Sequence, residues 1–325
     1  MKLKQVCNFA TGKISVPVGN RNLLSNQLIV DELNEVAKAS SNGDIEFREV
    51  ISPAERIQQI TRLEDYGSID LVRRKVDDKL LAQKTVYYER KALNEMLALA
   101  LLKHENIVAL HEAGIIDQGM HKNFYAYRID YVENHDYFRE IDFNNSQQLN
   151  DFLELFKKVV RAINHVHSRG IIHRDLKPKN ILLSGETVKV IDFELAKIQR
   201  PDIGIVTGTE DYLTGTVNYM APEQFENASK VDFTSDLYSL AVIMIEVLTG
   251  YNPIFLDGKR VNKPVNIKEL TSVIKSVIKN ETFASVLLGA LSENQRERSF
   301  KEASELLGFL ENLNADKLRS TKALC

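Results

Sequence analysis

The sequence predicts an α+β fold in two parts, a small β-rich part followed by a larger helical part. Two patterns carry this expectation. From about Ile57 to Asp130 short β-like runs dominate, and from about Asp151 onward apolar residues recur at helical spacing. Size is the third observation. With 325 residues, 44% of them hydrophobic and 27% charged, the chain can build a sizeable core and hold one large domain or two smaller ones sharing a cleft.

In chain order, residues 1–56 form an N-terminal extension with no assigned role. One helix is expected there, Ser25 to Ala39, because Ile29, Leu33 and Val36 share a face, and Ser40 to Asp44 reads as a turn. The main domain spans 57–312. In its first part Ser68–Val72 and Leu80–Tyr88 are expected strands and Ala92–Leu102 a helix. Further on, Phe152, Leu155, Val159, Ala162, Ile163 and Val166 line one face of a long helix ending near Gly170. Val188 to Ile191 reads as a strand. The strongest apolar run, Leu240 to Ile245, is far shorter than the ~20 residues of a membrane helix, so a buried helix is expected. Residues 313–325 are left as a C-terminal tail.

Charge and cysteine content exclude several classes. A net charge of −3 offers no bulk attraction to nucleic acid or a membrane surface. Cys7 and Cys325 lie near opposite ends, which argues against a disulfide framework or cysteine metal site and for a reducing setting. Met-Lys-Leu-Lys at the start is not followed by an apolar core, so no secretory signal is expected. A soluble, cytoplasmic protein is the resulting expectation. The sequence sets no oligomeric state.

The chemistry is concentrated in two short stretches. His173-Arg174-Asp175-Leu176-Lys177-Pro178-Lys179-Asn180 follows the long helix, and the strand at 188–191 runs into Asp192-Phe193-Glu194. Two carboxylates, an amide and a lysine thus fall on neighbouring loops. Phosphoryl transfer from a nucleotide needs such a set: a carboxylate to orient the acceptor, oxygen ligands for Mg²⁺ and a cation beside the moving phosphoryl group.

The first string resembles the catalytic loop of eukaryotic-type serine/threonine protein kinases, and the likeness covers roughly residues 58–312. It implies a two-lobed kinase fold, with an N-lobe at 57–130, a hinge at 130–135 and a C-lobe at 136–312. It further implies that Asp175 orients the substrate hydroxyl, Lys177 stabilises the transferring phosphoryl, and Asn180 and Asp192 hold Mg²⁺. Lys177, two residues after Asp175, is similar to the serine/threonine branch. Gly215 to Glu223 resembles the end of an activation segment, in which Thr216 shapes the acceptor site and Glu223 pairs with Arg298. Asp236 resembles the helix residue that anchors the catalytic-loop backbone.

In the first part, Leu81-Ala82-Gln83-Lys84 resembles the strand whose lysine contacts the α and β phosphates of ATP. Ala82 would cover the adenine, and Glu95 would be the helix partner of Lys84. Glu95 follows Lys84 by only 11 positions; Lys75 is the rival lysine, with Arg73 at its small-residue position. Gly67 and Ile69 align with the end of a phosphate-covering loop whose two earlier glycines are Arg62 and Glu64. Ile129 falls at the gate of the pocket, Asp130 and Val132 would bond adenine through their backbone, Asp136 would meet the ribose, and Leu182 would lie beneath the base. ATP and Mg²⁺ are the implied cofactors, and serine or threonine residues of proteins the acceptors, with no nucleic-acid partner and no membrane segment. Arg174 would receive a phosphate added to Thr207, Thr209, Tyr212 or Thr214. Glu194 stands where the family has glycine, which together with the depleted glycine loop leaves a pseudokinase scaffold as the alternative. A small-molecule kinase would give the 215–223 segment no purpose.

Overall fold

A computed structural model of the protein describes residues 46–51, 57–62, 69–75, 77–86, 89–116, 125–133, 135–200, 205–206, 217–226, 230–256, 259–260 and 267–319. The chain divides into two units. The first contains residues up to Glu133 together with Arg169–Ile171 and Phe193–Thr207; the second holds Asn134–Ser168, Ile172–Asp192 and Gly208 onward.

A six-stranded sheet organises the first unit. Its strands are β1 (Glu46–Ile51), β2 (Ile57–Arg62), β3 (Ile69–Arg74), β4 (Leu80–Val86), β5 (Leu110–Ile116) and β6 (Tyr125–Asp130), in the order β1-β5-β6-β4-β3-β2. All neighbours run antiparallel except β1, which lies parallel to β5 with Glu46 opposite Glu112 and Ile51 opposite Ile116. Residues 46–51 of the N-terminal extension therefore contribute an edge strand. The expected helix at Ser25–Ala39 lies outside the described residues.

The central strands β4 and β6 are covered on both faces, so they lack a clean polar alternation: Leu81, Ala82, Gln83 and Thr85 are buried, as are Tyr125 to Ile129. One buried charge, Arg128, is accommodated by Gln83 Oε1 at 3.0 Å and by the Glu112 carboxylate on the flanking strands. Helix α1 (Glu89–Leu101) begins three residues after β4 and buries Ala92, Met96 and Leu99, which recur at helical spacing.

The second unit is mainly helical. Helix α2 (Ser146–Ser168) buries Leu149, Phe152, Phe156, Val159, Ile163 and Val166 along one stripe. It starts ahead of the apolar pattern because Asn145 caps it, its side-chain oxygen accepting from Gln147 N at 3.0 Å and Gln148 N at 3.1 Å. Two short strands follow the string 173–180, β8 (Ile181–Ser184) and β9 (Thr187–Val190), after the two-residue strand β7 (Ile171–Ile172). Gly185, at φ 57°, takes the left-handed position in their two-residue turn. Strands β10 (Lys197–Arg200) and β11 (Ile205–Val206) belong to the first unit, where Gln199 N–H donates to the Gly170 carbonyl at 2.7 Å.

After the short helix α3 (Pro222–Glu226), α4 (Phe233–Thr249) is buried along most of its length, as the apolar run Leu240–Ile245 requires. Asp232 caps its start, accepting from Thr234 N at 2.9 Å, and Gly250 closes it at φ 68°. A two-stranded ribbon, β12 (Phe255–Leu256) and β13 (Lys259–Arg260), precedes α5 (Ile267–Val277), α6 (Glu281–Ala290), α7 (Ala303–Glu311) and α8 (Ala315–Arg319). Residues 315–319 are docked: Arg319 donates to the Phe143 carbonyl at 2.6 Å, and Ala315 N–H to Asn150 Oδ1 at 2.9 Å. Among the described residues no helix is long and apolar enough to cross a membrane.

Candidate active site

Lys84 lies on β4, directly opposite Ile69 of β3. Because α1 opens at Glu89, the eleven-residue gap brings Glu95 to the lysine: Lys84 Nζ is 2.7 Å from Glu95 Oε2. The rival Lys75 sits exposed at the turn after β3. Glu95 is wholly buried, so its charge must be satisfied locally. Besides Lys84, it accepts from the Tyr127 hydroxyl through Oε2 and from Phe193 N–H through Oε1 at 3.2 Å. Burial, with Glu95 beside it, pushes the Tyr127 hydroxyl well above the ordinary tyrosine range, so it remains a proton donor. The Lys84 ammonium also lies 5.7 Å from the Tyr127 ring centroid.

The residue that replaces glycine takes part directly. Glu194 Oε1 is 3.1 Å from Lys84 Nζ, so this carboxylate contacts the lysine as Glu95 does. The backbone around Glu194 is held by Asn94 of α1, whose side-chain nitrogen lies 2.9 Å from the Glu194 carbonyl and 2.7 Å from that of Ala196. Tyr127, Asn94 and the Glu194 contact had no signal in the sequence beyond a β-like run, a helical pattern and a departure from the family string.

The strand end before the expected hinge is tied down. Asp130 N–H donates to the Ala109 carbonyl at 3.1 Å, and its carboxylate accepts from Ala109 N at 3.1 Å and lies 2.7 Å from His111 Nε2. Ala82 faces Ile129 across the β4–β6 pair; both, like Val132, are almost fully buried. Gly67 lies outside the described residues, as do Thr207, Thr209, Tyr212, Thr214 and Thr216.

In the second unit the loop 173–180 hangs from Asp236 of α4. The buried Asp236 carboxylate accepts from His173 N at 2.8 Å and Arg174 N at 2.9 Å, and lies 2.8 Å from His167 Nε2. Burial alone would push this carboxyl up; the His167 contact, the nearby His173 and the Arg174 N–H outweigh it and hold it below the ordinary range. His173 Nδ1 accepts from Asp175 N at 3.3 Å, which places the ring proton on Nε2, 3.0 Å from the Ile191 carbonyl. One histidine thus spans from the string 173–180 to the residue before Asp192.

Asp175, Lys177 and Asn180 converge. Lys177 Nζ is 2.7 Å from Asp175 Oδ2; the Asn180 side-chain nitrogen donates to the Asp175 carbonyl at 2.8 Å and to Oδ2 at 3.1 Å. Pro178–Asn180 forms a single 3₁₀ turn, and Ile191 N–H donates to the Asn180 carbonyl at 3.0 Å. Asp192 stands at φ 68° and Arg174 at φ 69°, conformations that side chains seldom adopt and that here turn the chain at both key aspartates. Leu182 pairs with Lys189 in the β8–β9 ribbon. Asp136 is exposed and bound to Arg139 at 2.6 Å; its own neighbour's Tyr137 N–H and then Arg139 hold its carboxyl below the ordinary range.

The expected Glu223–Arg298 pair forms, with Nη1–Oε1 at 2.7 Å and Nη2–Oε2 at 2.5 Å, both side chains buried. Gln224, which sequence reasoning did not single out, donates to the Arg174 carbonyl at 2.9 Å and so joins α3 to the string 173–180.

The sequence profile of the protein kinase domain matches residues 65–318. The chain belongs to the protein kinase family. Its fold is the kinase fold, a mostly antiparallel N-terminal sheet followed by a helical C-terminal region. Among relatives, it is 34% identical over 185 residues to the "probable serine/threonine-protein kinase PknB" of Lactococcus lactis, 57% of this chain and 28% of that one. It is 32% identical over 169 residues to the CBL-interacting serine/threonine-protein kinase 16 of Arabidopsis thaliana, 50% of this chain and 35% of that one. The interferon-induced, double-stranded RNA-activated protein kinase of mouse is 30% identical over 294 residues, 83% of this chain and 53% of its own length. The chain thus spans from about a quarter to about half the length of these kinases.

Proposed function

We propose that the protein transfers the γ-phosphoryl group of ATP to serine or threonine hydroxyls of protein substrates. The observation that carries this reading is the convergence of Lys177 and Asn180 on Asp175, on a loop held by buried Asp236. Asp175 orients the acceptor hydroxyl and takes its proton as oxygen bonds to phosphorus and the bond to the ADP oxygen breaks. Lys177, already paired with Asp175, balances charge on the transferring group. With the Asn180 nitrogen committed to Asp175, the oxygen of that amide is its cation-binding atom, and Asp192 supplies carboxylate oxygens. Oxygen donors of this type suit Mg²⁺, which neutralises phosphate charge when bound. Lys84, positioned by Glu95, is assigned to the α and β phosphates. Ala82, Val132 and Leu182 are assigned to the base, together with the Asp130 backbone. The serine/threonine preference rests on Lys177, in agreement with the names of the Lactococcus lactis and Arabidopsis thaliana relatives.

Purified protein incubated with labelled ATP, Mg²⁺ and a generic basic protein should transfer label, and an Asp175→Asn control should not. Autophosphorylation is expected within 207–214, with Thr207 and Thr209 foremost and Arg174 as the receiving cation; phosphopeptide mapping that leaves this segment unmodified in fully active enzyme would rule it out. The Glu194–Lys84 contact gives a second reading, a pseudokinase scaffold. A wild-type protein that fails to bind Mg·ATP, with binding and turnover appearing only in Glu194→Gly, would establish that alternative.

A further inference from the structure

We infer that Glu194 is an internal anion that competes with the nucleotide's phosphates for Lys84 and thereby sets the affinity for ATP. This rests on the assignment of Lys84 as the phosphate-contacting lysine. The ammonium contacts the carboxylates of Glu95 at 2.7 Å and Glu194 at 3.1 Å. They are not equivalent. Glu95 is fully enclosed and held at both oxygens, by Lys84 and Tyr127 on one and Phe193 N–H on the other. Its position is determined by the packing of α1 on the sheet. The Glu194 side chain is 24% exposed, twice the 12% of Lys84, and reaches the lysine on a rotatable stem.

The charge balance sets the consequence. One ammonium neutralises one carboxylate, and Glu95 is that partner by distance and burial. Glu194 adds a second carboxylate beside the same ammonium. A phosphate approaching Lys84 meets an anion already there, so binding requires that carboxylate to turn toward solvent. The backbone need not move, since Asn94 holds the Glu194 and Ala196 carbonyls independently of the side chain. Glycine at this position would take the Glu194 carboxylate away from Lys84, so glutamate adds a competitor without removing a catalytic group.

Equilibrium binding separates the possibilities. Calorimetric titration of Mg-ADP and of adenosine into wild type, Glu194→Gln, Lys84→Met and the double variant, with thermal melting as a check on folding, is the test. Glutamine removes the charge and keeps the shape, and Glu194→Ala serves if glutamine disturbs the fold. Mg-ADP should bind about tenfold tighter to Glu194→Gln, while adenosine, which has no phosphate, should bind within about twofold of wild type. In the Lys84→Met background the same replacement should change Mg-ADP affinity by less than about twofold. Unchanged or weaker Mg-ADP binding in Glu194→Gln overturns the inference, and so does equal tightening for adenosine or in both lysine backgrounds. Full turnover by Lys84→Met would instead overturn the assignment of Lys84, a different failure with its own readout.

Discussion

Asp175 and Asp192 sit in different local settings, and their replacement tests different parts of the mechanism. Asp175 is buried and bonded to Lys177 and Asn180, whereas Asp192 is partly exposed at a left-handed turn. Asp175→Asn and Asp192→Asn should each lower phosphoryl transfer by about three orders of magnitude or more without unfolding the protein, the first by losing the proposed acceptor orientation and the second the proposed metal ligand. Turnover at the wild-type level in either folded variant contradicts the mechanism. The two lysines give a sharper contrast. Lys84 is 2.7 Å from Glu95, while Lys75 lies on an exposed turn. Steady-state assays should find Lys84→Met crippled and Lys75→Met nearly intact. The reverse pattern would reassign the strand.

At the scale of elements, the buried Glu223–Arg298 pair fastens the start of α3 to the 3₁₀ turn before α7, and Arg298 also donates to the Thr234 carbonyl at 3.0 Å, in the first turn of α4. Removing one partner strands a buried charge. Arg298→Met should therefore destabilise the protein by about 3–5 kcal/mol, read from urea unfolding. Adding Glu223→Gln should cost less than the sum of the two single changes, because the orphaned charge is then gone. A loss below about 1 kcal/mol for Arg298→Met would show that the pair is not a structural anchor. The edge strand β1 is a separate element-scale feature. It covers the outer side of β5 by parallel pairing, which leaves β5 less available to another chain's strand.

For the whole molecule, Asp236 links stability to acidity. Its carboxyl titrates below the ordinary range in the folded protein, so its contribution is present above the unfolded value of about 3.9 and is lost as pH falls through the lower folded value. Unfolding free energies of wild type and Asp236→Asn should differ by a constant amount from about pH 7 to about pH 5 and converge below about pH 4. A gap that persists unchanged into strong acid would mean that Asp236 acts through shape alone. His167 and His173 face this carboxylate.

What the sequence determined is local chemistry in chain order. The string at 173–180 and the turn at 192–194 were legible because their residues are neighbours along the chain, as were the apolar stripes of α1, α2 and α4. The start of α2 was less legible, since Asn145 extends the helix beyond its apolar pattern by a cap. Tertiary structure decided the rest. The choice of Lys84 over Lys75 as the partner of Glu95 depends on where α1 begins and on the register of β3 against β4. Tyr127 reaches Glu95 from 32 residues away, and Glu194 reaches Lys84 from 110. Such contacts leave no periodic trace, because they arise only when separate elements pack and a buried charge must find its partners from whatever side chains packing brings near.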